Sequence, residues 1–553
     1  MKKIRIGFLI DSETINYYIY DLIQFVLNND LFYEPIVITG HGMNLTKQHY
    51  IKTFFNFRKY IYRFLYLVIS KFEGIVSAQR FPQSRLNYKL ATIDRLRFIY
   101  VQGIWSKSNL NLSFTDKDIK SLDIENFDLI IRCGNGILKG EILDLAKFGV
   151  LSFHHGDNRV NRGGPAGFWE VFYSEPSSGF VIQKLSKELD GGQVVFRGNI
   201  PTESLWILNR EKLKQKSNVF MKQILVQIAH NRGLPPLENP YFHDRILYKL
   251  NENPILLTKY LLKVWPQVLS NSVTRLFRGN RISVWSISYS KDSMPGTSLW
   301  RYRDVPNPKN SYLADPFVIT YEKRTVIFVE QFIISEKKGV IAAVDVSSPK
   351  ELFLGPVLIE PFHLSFPFVF EVESKLYMIP ETAEIREIRL YKCSEFPGKW
   401  QYHKTLIKEI DAADTMVFND SGMWFMLTNV CSANQGDHDS ELHIFYTPDM
   451  FKYDWIPINS GNPVIFDSQK ARNGGFFYFD STLYRVNQIH LGSTYGKSFA
   501  INRVEKLTPD GYKEVHIQTV GPYFKKNGLN THHYNSNLEV SVIDSVNKVT
   551  YNR

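Results

Sequence analysis

A chain of 553 residues that is 44% hydrophobic, 14% aromatic and 22% charged excludes a disordered, collagen-like or disulfide-stapled protein and is long enough for several packed domains. Its three cysteines, Cys133, Cys393 and Cys431, are far apart with no Cys-x-x-Cys spacing, which argues against a disulfide framework or structural zinc and fits a reducing compartment. The net charge of +11 is uneven, because residues 47–107 hold twelve basic side chains against only Glu73 and Asp94.

The chain begins MKKIRIGFLID, an apolar run too short for a secretory h-region and best read as a buried first strand. Even the most apolar stretch, residues 64–70, is closed by Arg63 and Lys71, far short of the span a membrane helix needs. The expectation is a cytoplasmic protein, or one peripheral at the inner face of a membrane. Residues 1–205 read as α/β: KIRIGFLI, EPIVIT, FDLIIRCG, GVLSFHH and GFVIQKL alternate with helical patterns such as INYYIYDLIQFVLNN, which implies a doubly wound, mainly parallel sheet. The basic, aromatic stretch at about 45–110 interrupts this layer as an insertion. Its interleaved Phe, Tyr and Leu suit either a helix lying on an anionic membrane through residues 47–107 or a helical pair packed on the domain with solvated charges. No nucleic-acid recognition motif accompanies it.

Residues 206–280 are helical in pattern and read as a connector, with Lys212, Lys214, Lys216 and Lys222 forming a solvated face. From 281 to 553 the texture changes to short Phe/Tyr/Val/Ile strands separated by turn residues. Similar strand pairs start at Ala314, Leu364, Ala413 and Gly474, at spacings of 50, 49 and 61 residues. Four such units and leftover strands at both ends predict a five-bladed β-propeller with one blade closed by both termini. Trp400, Trp424 and Trp455 read as packing within blades.

The most informative stretch is residues 149–198, GVLSFHHGDNRVNRGGPAGFWEVFYSEPSSGFVIQKLSKELDGGQVVFRG. It resembles the 10-formyltetrahydrofolate-dependent formyltransferases, which include enzymes that N-formylate sugars. The resemblance aligns His154 with the family's catalytic histidine, Arg162-Gly163-Gly164-Pro165 with its RG turn, and Leu189-Asp190-Gly191-Gly192 with the loop of its catalytic aspartate. It implies His154 at the oxyanion, Asp190 relaying the proton, and a folate held by Gly134, Asn135, Gly136, Leu189 and Gly191. Ser152 stands where the family has asparagine, and loss of one oxyanion donor costs ~100-fold or more in rate. His155, Asp157, Arg159 and Arg162 add polar groups for a phosphate-bearing sugar carrier. No second cluster of metal-ligand type lies near HHGD, so no metal is expected.

In the second half, ADPF, FHLSFPFVF, MIPET, RLYKCSEFPGKW, AADTMVF, RNGG and the YG of STYG resemble the propeller found beside the glycosyltransferase module of plant glucosamine inositolphosphorylceramide transferases. More distantly they resemble five-bladed glycoside hydrolases such as arabinanases. Such hydrolases bring acids to the inner ends of blades. Asp315 and Asp414 occupy equivalent positions of their units, Phe366-Pro367 replaces the acid of the middle one, and Glu381 ends its second strand. Asp315, Glu330, His363, Glu381, Asp414, Arg472, Arg485, Gln488 and His532 are the candidates for a sugar-binding funnel.

These readings together imply a transferase of cell-envelope glycan assembly. It would N-formylate an amino sugar on a nucleotide or lipid carrier while the propeller grips the glycan. A glycosyltransferase or glycoside-acting site in the propeller on a degenerate scaffold is the alternative, as is a noncatalytic glycan-binding protein.

Overall fold

The computed structural model describes residues 2–40, 57–107, 110–160, 164–187, 192–239, 250, 252–278, 280–291, 298–348, 350–433, 437–491, 494–537 and 539–552. Arg162, Leu189, Asp190 and Gly191 lie outside the described residues. Packing divides the chain into two compact units, Met1–Leu269 and Ser270–Arg553.

The first unit is built on a seven-stranded sheet of β1 (Ile6–Ile10), β2 (Ile36–Thr39), β3 (Arg97–Tyr100), β4 (Leu129–Cys133), β5 (Val150–His154), β6 (Ser177–Lys184) and β7 (Gln193–Pro201), in the order β7-β6-β5-β4-β1-β2-β3. The first five are parallel and β6 and β7 antiparallel. Every residue of β1 is buried, as a central parallel strand covered on both faces requires. Strand order reverses between β1 and β4, and the carboxyl ends at such a reversal leave a crevice. Around the sheet lie α1 (Tyr17–Leu27), α2 (Phe57–Arg80), α3 (Asp116–Asp123), α4 (Phe168–Tyr173), α5 (Trp206–Asn231) and the part of α6 (Pro254–Arg278) that precedes Ser270. Asn16 caps α1 by accepting a hydrogen bond from the Ile19 amide, which starts the helix at the edge of that crevice.

The segment expected as a connector with a solvated lysine face is different in the structure. Helix α5 packs against α1, α2, α4 and β6, and Lys212 and Lys216 are only 5% and 1% exposed. Lys212 pairs with Glu203 at 2.9 Å, Lys214 with Glu211 at 3.1 Å and Lys222 with Asp21 at 2.6 Å. A helix covered on most sides keeps its charges only by pairing them. Helices α2, α5 and α6 are fastened at Glu73, whose carboxylate accepts from Tyr260 Oη at 2.7 Å, Trp265 Nε1 at 3.0 Å and the Ile207 amide at 3.0 Å. Among the described residues no helix is long and apolar enough to cross a membrane.

Among its described residues the second unit contains five antiparallel sheets in succession. One joins its two ends, pairing Asn280–Ser290 with Ser541–Asn552 along eleven positions and adding Arg303–Asp304 and Tyr534–Ser536 at the flanks. The other four begin with the strands Ser311–Tyr321, Ser365–Val372, Ala412–Asp420 and Asn473–Phe479. Those first strands touch in cyclic order. Ring centroids are 5.7 Å apart for Phe317–Phe368, 5.9 Å for Phe368–Phe418 and 5.1 Å for Phe418–Phe476. Asn535 completes the circuit, donating to the Phe476 carbonyl and accepting from the Val318 amide.

Trp400 and Trp455 are buried in these sheets, Trp400 edge-on to Phe328, while Trp424 packs on Phe370.

Candidate functional site

In the first unit the crevice at the β1/β4 reversal is a cavity of about 400 Å³, lined by Arg132, Cys133, Gly134 and Asn135 from the end of β4, Ser152, Phe153 and His155 from β5, and Lys214, Ser217 and Asn218 from α5. Asp11 organises its floor. It is ion-paired with Arg132 and accepts the Asn135 amide at 2.6 Å. A side chain at position 134 has no room, since a Cβ there meets both Asp11 and Arg132 within 2.3 Å. His155 places Nε2 3.0 Å from Ser217 Oγ, and burial, then the neighbouring Lys214 charge, bring its imidazole down to about 3. It is therefore neutral. Burial likewise lowers Lys214 from the usual ammonium range, with Arg210 adding to the effect, and pushes the Cys133 thiol up to about 12.

The structure sorts the predicted residues of this unit. Gly134, Asn135, Ser152 and His155 line the cavity; His154, at the end of β5 opposite Val181, does not. Gly136 turns beside Trp105 with φ +79°. Asp157 and Arg159, expected to hold a substrate, are instead occupied with each other and the sheet. Arg159 grips Asp157 through Nε and Nη2, and Arg197 Nη1 reaches Asp157 and Asn158 at 2.8 Å each. That clamp holds the Asp157 carboxyl below the usual range, although burial alone raises it. Lys214, Ser217 and Asn218 were missed, because their helix was read as a link rather than a wall of the cavity.

In the second unit one backbone device brings the polar residues together. Each of the four first strands carries the same irregularity, at Ala314/Phe317, Ser365/Phe368, Ala413/Met416 and Asn473/Phe476. Asp315 (φ 50°), Phe366 (φ 45°) and Asp414 (φ 50°) take the left-handed backbone there, and Gly475 (φ 109°) does so in the last. A bulge re-aims the side chain it carries, and a left-handed Phe is a strained choice kept only by its surroundings. Phe366 is fully buried between Phe317 and His533.

Around these bulges lies a buried polar centre. His532 is set between two carboxylates, with Nδ1 2.7 Å from Asp544 Oδ2 and Nε2 3.2 Å from Asp315 Oδ1, and Trp285 covers its ring at 4.1 Å. Burial alone lowers the imidazole, but Asp544 and Asp315 raise it to about 10. The charged histidine in turn holds Asp315 below the usual carboxylate range against the opposing effect of burial. These three groups are close enough together to face a cation. Arg472 forms a second bridge, from Nε to Asp414 Oδ2 at 2.7 Å and from Nη1 to Asp439 Oδ1 at 2.8 Å. Burial, against Arg472 and with help from Glu381 and Asp315, lifts Asp414 to about 7. Burial, Asp315 and Glu381 also push Glu330 well up, and His363 Nε2 stands 3.6 Å from it. Gln488 donates to Asp414 at 3.2 Å while its own Oε1 is buried without a hydrogen-bond partner.

Tyr495 lies beside this centre. It is 42% exposed, has the tilted ring of His490 at 4.9 Å and the edge-on ring of His532 at 5.3 Å, and has the Arg472 guanidinium 5.2 Å from its ring. Of the predicted funnel, Asp315, Glu330, His363, Glu381, Asp414, Arg472, Gln488 and His532 share this neighbourhood. Arg485 does not. It is fully buried within its own sheet, with Glu514 on Nε and Nη2 and the carbonyls of Lys470 and Ala471 and the Asn473 Oδ1 on its remaining donors. Tyr495, Asp439, His490 and Asp544 were missed; the YG of STYG was the one signal that could have drawn attention to Tyr495.

The raised Asp414 carboxyl has a consequence for stability. A carboxyl whose folded value is about 7 against an ordinary 3.8 favours folding below pH 3.8, and that contribution is lost as pH rises through 7. Asp414→Asn is therefore expected to remove part of the fall in stability between pH 4 and pH 7, measured as urea midpoints of the full chain across that window.

Residues 300–550 match the family described as Glucosamine inositolphosphorylceramide transferase 1, N-terminal. A glucosamine inositolphosphorylceramide transferase 1 of Oryza sativa subsp. japonica is 34% identical over 236 residues, 40% of this chain and 31% of the relative. The chain thus spans about a third of the length of the relative it matches. Among solved structures, the catalytic domain of a Coprinopsis cinerea GH62 α-L-arabinofuranosidase has a TM-score of 0.34 at 11% identity, over 48% of this chain and 98% of its own. An N-formyltransferase from Helicobacter canadensis, in complex with folinic acid and dTDP-3-aminofucose, has a TM-score of 0.31 at 9% identity, over 59% of this chain and 95% of its own.

Proposed function

We propose that this chain is a transferase of glycan or glycolipid assembly whose second unit, a five-bladed propeller, holds a sugar in its polar centre. One observation carries the reading. The segment similar to the glucosamine inositolphosphorylceramide transferases, residues 300–550, is the one that brings Asp315 and Asp414, carried at strand bulges, together with Arg472 and His532 beside the part-exposed Tyr495. Carboxylates and a guanidinium that bond sugar hydroxyls, next to an aromatic face for the C–H side of the ring, form a carbohydrate-type site. The relative's name points to a sugar or inositol phosphate headgroup on a lipid as the ligand class, and the partner proposed here is a lipid- or nucleotide-linked glycan.

For the first unit the proposed transfer is N-formylation of an amino sugar. The cavity at the sheet reversal is the proposed place for the flat, hydrogen-bonding end of a folate, with Gly134, Asn135, Ser152 and Asn218 in its wall. Bound there, 10-formyltetrahydrofolate would supply the formyl group. The neutral His155, beside Ser217, would contribute a hydrogen bond within the cavity, and Asp190 is proposed as the acidic residue from the motif alone. Calorimetric titration of the full chain with 5-formyltetrahydrofolate should give saturable binding that His155→Leu weakens about tenfold, the scale of one lost buried hydrogen bond. No binding by the folded wild type excludes the formyl step.

A second reading has its own support. Glu330 and Asp414 are pushed toward the protonated form while Asp315 is held ionised, and such opposed carboxyls are what acid–base chemistry at a glycosidic bond needs. Release of a reducing sugar from a glycan by the full chain, lost in Asp315→Asn, would move the chemistry to the second unit.

A further inference from the structure

Helix α2 has two unlike faces. Toward α5 and α6 it buries Ile69, Glu73 and Ser77, while outward it exposes Phe57, Tyr60, Phe64 and Leu67 at 78, 72, 59 and 65%. These four recur every three or four residues, so they form one stripe, and the same spacing continues through Lys71 and Ile75. The only acid on α2 is the buried Glu73, whereas Arg58, Lys59, Arg63 and Lys71 are basic.

The stripe ends at a cavity of about 410 Å³ between α2, the turn Pro82–Arg85 and α5. Lys71, Arg85 and Arg210 bring positive charge to its wall. Glu211 also lines it, but that carboxylate is held by Arg210 at 2.9 Å and Lys214 at 3.1 Å. Arg85 is braced by donating from Nη2 to the Gly74 carbonyl. Ser70 and Ser77 are among its lining residues, and their Oγ atoms are buried without a hydrogen-bond partner, Ser77 being only 1% exposed. They lie two helical turns apart on one face, and between them a Cβ at Gly74 would meet nothing within 4 Å. Buried hydroxyls without partners are rare in native proteins and call for an explanation. Two of them together with Lys71 and Arg85 describe a receptor for an anion with several acceptor oxygens.

We propose that this cavity binds the phosphate group of an anionic membrane lipid, with the apolar stripe of α2 lying in the bilayer interface beside it. The inference is independent of the sugar site. Ser70 and Ser77 donate to phosphate oxygens, Lys71 and Arg85 neutralise the charge, and Phe64 and Leu67 meet the upper acyl chain. Phosphate from a soluble source has the same headgroup chemistry but makes no use of the stripe.

The test is flotation of the full chain with phosphatidylcholine vesicles, with and without phosphatidic acid. Binding should require phosphatidic acid. It should fall roughly thirtyfold in the surface variant Lys71→Gln/Arg85→Gln, at about 1 kcal/mol per basic side chain near an anionic surface, and should also fall in Gly74→Leu, which fills the cavity, and in Phe64→Ser. Competition by inorganic phosphate with no effect of Phe64→Ser would identify a soluble phosphate ligand and overturn the lipid assignment. Binding of equal strength to phosphatidylserine vesicles, unchanged by Gly74→Leu, would reduce the site to a diffuse basic patch and overturn the cavity. An unchanged thermal midpoint for Lys71→Gln/Arg85→Gln keeps its loss of binding distinct from unfolding.

Discussion

Asp544→Ala is expected to destabilise the second unit by about 3–5 kcal/mol, the cost of leaving one member of a buried charge pair uncompensated. Asp544 is fully buried and does two jobs. Its Oδ2 faces His532 Nδ1 at 2.7 Å, and its Oδ1 accepts the backbone amides of His532 and His533 at 3.0 Å each. Removing it strips two amides of their acceptor and leaves the imidazolium with Asp315 alone. The pH dependence gives the effect a signature. A histidine raised from 6.5 to about 10 contributes stability that is complete below pH 6.5 and lost as pH rises through 10. Wild-type urea midpoints should therefore fall across that window, and Asp544→Asn, which keeps an acceptor for the amides but not the charge, should flatten the fall.

Arg472→Met should weaken glycan binding roughly a hundredfold, in the range seen when one partner of a buried, hydrogen-bonded charge pair is truncated at a binding surface. The guanidinium bridges Asp414 and Asp439 and lies against the ring of Tyr495. Without it Asp414, already near 7, moves further up, because the largest influence opposing its burial is gone. The site would then present a neutral acid to the sugar, and Tyr495 would lose the group that braces its ring. Calorimetric titration reads the loss. Arg472→Lys is expected to recover little, since one ammonium cannot reproduce the forked contact with both carboxylates.

The residues of this centre were legible in unequal measure, for physical reasons. Asp315 and Asp414 stood out because a repeated bulge leaves a repeated sequence, ADPF and AADT, and the replacement of the acid at Phe366 was visible by the same comparison. Asp439, His490 and Asp544 come from later strands or loops that carry no repeat, so only folding brings them to the same place. Arg485 was misplaced because a strand alternates its faces: Gln488 reaches Asp414, while Arg485 is turned into the sheet beside Glu514. In the first unit the strand ends Cys133–Asn135 and Ser152–His155 were recognisable from motif and periodicity. The histidine facing the cavity is the second of the pair, a distinction set by the exact end of β5. Lys212 and Lys222 look solvated in sequence because pattern alone cannot reveal that Glu203 and Asp21 arrive from elsewhere to pair with them.

The sugar site of the second unit is tested most directly by titrating the full chain with a soluble headgroup that carries an amino sugar and inositol phosphate. Saturable binding that Tyr495→Ala and Arg472→Met both weaken, and that His155→Leu leaves unchanged, is the predicted result. Binding untouched by Tyr495→Ala and Arg472→Met, or lost only in His155→Leu, would contradict it.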